Sequence, residues 1–268
     1  MSGPILIFDS GVGGLSVAHA LRQHYPTAAL CYACDNAWLP YGLRDDATLA
    51  ERIVLVCQAA VQACDASVLV VACNTASTLA LEGLRQALTI PVIGTVPAIK
   101  PAALISTSRH IGLLATTATV NRPYTQTLID SFASDCVVTK IAADALVTEA
   151  EAWLAGAPLN APRIQQALAP LWQATQQRPA LDTVVLGCTH FPLLQPLLNT
   201  LAPTPLAWVD SGDAIARRVG QVAATLVSKA HDGRCFTTAP AQALTDGLAR
   251  YGFCPPQPLL LPSTPSIC

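Results

Sequence analysis

Two segments in opposite halves of the chain are built to one plan. VLVVACNTAS (68–77) and VVLGCTHFPLL (184–194) each run from a short β-branched stretch into a cysteine followed by two hydrogen-bonding side chains. An apolar run this short and Val-rich suits a strand buried on both faces, the kind found in parallel sheets covered by helices. The same alternation of strand and helix extends along the chain. ILIF (5–8), AALCYA (28–33), SVLVVA (67–72) and PVIGTV (91–96) come first; IGLLA (111–115), CVVTKIA (136–142), DTVVLG (182–187), LAWV (206–209) and RCFTT (234–238) follow a restart after Pro97. Helical periodicity fills the gaps, with Asp45 and Asp46 as caps of one helix and a last long helix from about Gly212 to Ala230. The pattern predicts an α/β protein of two similar lobes. Each lobe is a mostly parallel sheet flanked by helices, with the active site between them. The Pro-rich end, PPQPLLLPSTPSIC, is expected to be a surface tail.

Ligands of open parallel sheets sit beyond the carboxyl ends of the strands. Every polar cluster here occupies such an end: Asp9-Ser10, Cys73-Asn74-Thr75, Thr116 to Thr119, Cys188-Thr189-His190 and Asp210-Ser211. Two lobes facing each other would enclose one site with a thiol on each wall. In IFDSGVGGLSV (7–17) the glycines permit a tight turn before a helix, whose free N–H groups can hold an anion. A dinucleotide fingerprint would need glycine where Ser16 stands, and a phosphate loop would need Gly-Lys-Ser/Thr. A small carboxylate held by backbone amides and Ser10 fits better, with Asp9 placed to handle an amine or a proton. Helix capping is the competing role for Asp9. PYGLR (40–44) by itself is a turn, and Asp35 and Asn36 are ordinary loop residues.

The paired thiols point to chemistry. A helix N-terminus lowers a thiol pKa and the thiolate is the reactive form. His190 could serve Cys188 as an acid–base partner, since imidazole titrates near neutral pH; its competing role is a satisfied polar residue at a strand end. A Cys–His hydrolase would leave the second cluster idle, and a redox pair would place its cysteines together. Taking a proton from one face of a carbon and returning one to the other uses both walls. Racemisation or epimerisation is the favoured reaction class.

Composition removes other classes. A net charge of −2 offers no basic footprint for nucleic acid. Only three lysines occur (Lys100, Lys140, Lys229), none in a strand-end cluster, which argues against a covalently held amine-reactive cofactor. Ten cysteines in a chain of this size are expected to be reduced and mostly buried as small apolar residues. Cys31 and Cys34 form a single CxxC without a second, so a metal site is not expected. No apolar run reaches the roughly 18 to 20 residues of a membrane helix. Met1-Ser2-Gly3-Pro4 leads into ILIF without a signal-peptide n-region, and a cytoplasmic protein is expected.

FDSGVGGLSV, PYG, ACNTAS, LLATTATV and GCTHFPLL, in this order, resemble the glutamate racemases of bacterial cell-wall synthesis. The resemblance covers nearly the whole chain, VDSGDAIARRV (209–219) and RCFTT included. It implies a cofactor-independent enzyme interconverting L- and D-glutamate, the latter for peptidoglycan. Cys73 would act on D-glutamate and Cys188 on L-glutamate, assisted by Asp9 and His190 respectively. Substrate contacts carry over to Asp9, Ser10, Tyr41, Gly42, Asn74, Thr75, Thr189 and His190, with Thr116 and Thr119 on a Thr-rich wall. Asp35 matches a loop Asp of the family. Glu149 matches a catalytic-site Glu, with Glu151 as the alternative. Asn121 departs from the Ser common in the family at that place. The lobes of the family interleave, so residues 1–97 plus 207–268 are expected to form the first lobe and 98–206 the second. VPAIKPAA (96–103) resembles the segment of members activated by a cell-wall precursor. A homodimer is another assembly the resemblance allows. Aspartate racemisation, decarboxylation of malonates (disfavoured by the presence of both thiols) and a gyrase-restraining binding role are the competing functions.

Overall fold

The structure, a computed structural model, describes residues 3–223 and 233–262. Its strands in chain order are β1 (Ile5–Asp9), β2 (Leu30–Cys34), β3 (Val68–Val71), β4 (Val92–Gly94), β5 (His110–Ala115), β6 (Val137–Ala142), β7 (Thr183–Leu186), β8 (Ala207–Val209), β9 (Cys235–Thr237) and β10 (Gln257–Pro258). Between them lie α1 (Leu15–His24), α2 (Asp46–Cys64), α3 (Asn74–Ala87), α4 (Ile99–Ile105), α5 (Thr117–Asn121), α6 (Pro123–Phe132), α7 (Ala145–Leu154), α8 (Ala161–Ala174), α9 (Gln195–Leu201), α10 (Gly212–Val222) and α11 (Thr245–Arg250). Two sheets result, ordered β10-β9-β2-β1-β3-β4 and β6-β5-β7-β8. Among the described residues every strand pairing is parallel.

Alternation along each central strand sends successive side chains to opposite faces, and helices cover both. Ile5 and Ile7 meet Leu15, Leu21, Ile215 and Val219 from α1 and α10, while Leu6 and Phe8 meet Leu49, Ile53 and Leu84 from α2 and α3. In the second sheet Leu114 and Val184 pack on Leu146, Ile164 and Leu168, whereas Leu113 and Val185 pack on Ile99, Ala102 and Ile129. Leu154 of α7 and Leu193 join the core of the first lobe and seal the lobes together. The central runs are apolar without interruption because neither face of these strands meets water.

Asp45 caps α2 as expected, accepting from the Thr48 amide at 3.0 Å. By length and composition α2 could cross a bilayer, but its Leu49, Ile53, Val56 and Cys57 lie in the core of the first lobe.

Two boundaries differ from the sequence expectation. The sequence places the return to the first lobe at residue 207, yet β8 (Ala207–Val209) pairs with β7 and extends the second sheet. A three-residue edge strand is too short to declare its sheet by pattern alone. The chain crosses back beyond Val209, since α10 packs on α1. The Pro-rich end is not wholly a tail either: β10 pairs with β9, and Leu259 is buried. Pro258 is tolerated there because β10 is an edge strand. The expected helix to Ala230 is seen to Val222, and the remainder lies outside the described residues.

Candidate active site

Strand ends of both sheets open on one cavity of about 620 Å³, within the usual range for small-molecule sites. Asp9 and Ser10 come from the end of β1, Cys73 to Thr75 from β3, Thr116 and Thr119 from β5, and Cys188 to His190 from β7; Tyr41 and Gly42 enter on the loop after β2. Both thiols and all the expected substrate contacts therefore line the same space.

Cys73 stands at the N-cap of α3, where the strand turns into the helix. Ser77 fixes that turn: its hydroxyl donates to the Val71 carbonyl at 3.0 Å and accepts from the Thr95 amide at 2.8 Å. The Ser10 hydroxyl lies 3.8 Å from the Cys73 sulfur and donates to Asp9 Oδ1 at 3.2 Å. Asp9 thus reaches Cys73 through Ser10. Burial, reinforced by the Asp9 carboxylate, pushes the Cys73 thiol up to about 12. Asp9 is itself raised, chiefly by burial, although His190 and hydrogen bonds from Thr189 and Ser10 oppose that effect. Asn74 Oδ1 is buried and has no hydrogen-bond partner among the described residues, an acceptor suited to an ammonium group.

The second wall is wired differently. His190 Nδ1 lies 3.6 Å from the Cys188 sulfur, and His190 Nε2 lies 2.7 Å from Glu151 Oε1. Burial works against an imidazolium here. The hydrogen bonds and charges of Cys188 and Glu151 outweigh it and lift His190 well above its ordinary value. The two walls touch through Thr189, whose hydroxyl donates to Asp9 Oδ2 at 2.8 Å. Glu151 also accepts from the Val12 amide at 2.7 Å, tying α7 of the second lobe to the Gly-rich turn of the first. Glycine is required in that turn. A Cβ on Gly11 would sit 1.9 Å from Glu151 Oε1, and one on Gly13 would sit 2.5 Å from His190 Nδ1.

Of the two glutamates, the structure brings Glu151 to the imidazole. Neither glutamate belongs to the cavity lining, and Glu149, the residue favoured by the resemblance, is engaged elsewhere. Its carboxylate accepts from the Asn160 amide at 3.0 Å and from Arg163 Nη1 at 3.3 Å. Two residues along a helix turn a side chain by about 200°, so motif spacing could not choose between them without the fold. Asp35 lies behind the cavity, fully buried. It accepts from Tyr41 Oη at 3.0 Å, from Arg52 Nη2 at 2.7 Å and from Thr238 Oγ1 at 2.6 Å, and so holds Tyr41 in place. Thr116 and Thr119 hydrogen-bond to each other at 3.1 Å, and Asn121 lines the cavity with them. Arg163 also lines it and was not foreseen; its only sequence signal is its place just after the helix cap Asn160.

Residues 15–219 match the Asp/Glu/Hydantoin racemase family. A glutamate racemase of Shewanella loihica is 49% identical over 219 residues, covering 82% of this chain and 80% of that protein. One of Klebsiella pneumoniae is 44% identical over 255 residues, 93% of this chain and 89% of its own. The crystal structure of Escherichia coli glutamate racemase, in complex with L-glutamate and the activator UDP-MurNAc-Ala, matches with a TM-score of 0.91 at 40% identity. That match covers 97% of this chain and all of the other. An aspartate racemase homologue from Pyrococcus horikoshii, at 16% identity and a TM-score of 0.52, shares the fold alone.

Proposed function

The chain belongs to the Asp/Glu/Hydantoin racemase family, and on that premise we infer that it interconverts L- and D-glutamate by proton transfer between two thiols. One observation carries this reading: Cys73 and Cys188, from different sheets, line one cavity, and each has its own polar partners. A thiolate on one wall removes the α-proton, and the resulting planar carbanion takes a proton from the thiol on the other wall. The configuration is inverted and no net proton is consumed. With its pKa pushed up to about 12, Cys73 carries its proton at neutral pH and serves as the acid for the L-to-D direction. Cys188 is then the base, and His190, held by Glu151, is the group that takes up and returns its proton. In the reverse direction Cys73 must lose its proton, which Ser10 and Asp9 assist. Helpers of this kind typically supply about 10²- to 10⁴-fold.

Glutamate is the substrate carried by relatives of high identity. A coupled assay for D-glutamate formed from L-glutamate tests this. Turnover of aspartate without turnover of glutamate would overturn it. The product serves peptidoglycan synthesis. By analogy with the Escherichia coli complex, the precursor UDP-MurNAc-Ala is an activator. In this chain VPAIKPAA forms the connection from β4 into α4, and the Val96 carbonyl accepts from Ser211 at the start of α10. A ligand on that connection would act where the chain passes between lobes. Glutamate turnover unchanged by the precursor would remove the activation from the account.

A further inference from the structure

Glutamate carries two carboxylates against one ammonium group, while the fixed carboxylates lining the cavity are Asp9 and Asp144. Asp144 is engaged by the Thr117 amide and hydroxyl. Among the described lining residues one side chain is a lysine or arginine, and that is Arg163. Its side chain is half-exposed, which places it at the rim. The mounting is rigid: Asn160 caps α8 by accepting from the Arg163 amide at 3.1 Å, and the Asn160 amide in turn holds Glu149 at 3.0 Å. A cation in the first turn of a helix opposes the helix dipole, so the cap gives no reason for an arginine here. The Glu149 contact does not absorb the guanidinium. At 3.3 Å it is longer than the usual 2.7–2.9 Å of a charge-assisted bond and engages one nitrogen of the fork.

We propose that Arg163 is a specificity-determining residue that draws the dicarboxylate substrate into the cavity and favours it over neutral amino acids. The inference rests on the glutamate reading above. Glu149 sets the strength of the attraction by partly neutralising the guanidinium.

Steady-state kinetics of Arg163→Gln, Arg163→Lys and Glu149→Gln, in both directions and at low and high salt, test it. Arg163→Gln should raise KM for both enantiomers by about 3- to 10-fold with kcat little changed, the signature of lost uniform binding. Added salt should lower kcat/KM of the wild type while hardly affecting the variant. Arg163→Lys should recover most of the loss. Glu149→Gln, which leaves Arg163 and the Asn160 cap in place, should lower KM. Should Arg163→Gln not fold, Glu149→Gln carries the test alone, and a KM at or above that of the wild type overturns the proposal. Normal wild-type turnover with unmoved KM and salt dependence in Arg163→Gln overturns this inference alone. Absence of glutamate turnover in the wild type overturns the glutamate reading and this inference with it.

Discussion

Cys73 and Cys188 each lie two residues past the end of a buried strand. From there the two walls diverge. Cys73 opens the 14-residue helix α3, and the side chain hydrogen-bonded to its sulfur is the Ser10 hydroxyl, backed by a buried carboxylate. Cys188 leads into the short 3-10 turn Phe191–Leu194, and its neighbour is an imidazole backed by Glu151. One wall keeps its thiol protonated by burying it beside a negative charge. The other sets beside its thiol an imidazole whose protonated form is favoured, a ring suited to take the proton of Cys188 itself and leave a thiolate. Two similar lobes have thus given one strand-end position two different proton environments, as a reaction with a base on one side and an acid on the other requires.

The harshest way to break the comparison is to remove a wall. Replacing Cys73 or Cys188 by Ala should abolish interconversion, a loss of at least about 10³-fold, while circular dichroism shows an intact fold. A variant racemising at near wild-type rate would refute the pairing. Removing one helper sharpens it instead. Glutamate enantiomers have equal free energy in water, so kcat/KM must stay equal in the two directions for every variant, and asymmetry can appear only in separate kcat, KM and isotope effects. His190→Asn should cost about 10²- to 10⁴-fold and raise the α-deuterium isotope effect from L-glutamate relative to that from D-glutamate. Asp9→Asn should shift the balance the other way. Identical patterns in the two variants would show that the helpers are not divided between the walls. Ser10→Ala, which removes the link between Asp9 and Cys73, should cost about 3- to 10-fold in kcat/KM.

The smallest effect concerns stability. Asp9 has a folded pKa raised above its unfolded value of 3.8, so folding disfavours its charged form. That cost is fully present above the folded value and vanishes below about the unfolded one. Asp9→Asn keeps an acceptor for the Ser10 amide and should raise the thermal midpoint at neutral pH by a few degrees, with the gain disappearing in acid. A midpoint lowered at neutral pH would contradict the assignment.

Much of this contrast was legible in the sequence, because apolar strands that stop at Cys73 and Cys188 declare their sheet positions by pattern alone. What was not legible depends on rotation and on short elements. Glu149 and Glu151 differ by two residues on α7, and only the docking of that helix decides which one meets His190. The three residues of β8 carry too little pattern to show which sheet they join. Arg163 is a polar residue in a capped helix start until the cavity is seen to open beside it. The resemblance pairs Asp9 with Cys73, and that the Ser10 hydroxyl stands between them is a matter of geometry.

The division of labour between the walls is tested most directly by α-proton exchange in deuterated water, followed by NMR, with single-thiol variants. Cys73→Ala retains Cys188 and should exchange the α-proton of L-glutamate without forming the D-enantiomer. Cys188→Ala should exchange that of D-glutamate alone. Exchange of the same enantiomer by both variants would contradict the account of two thiols working from opposite faces.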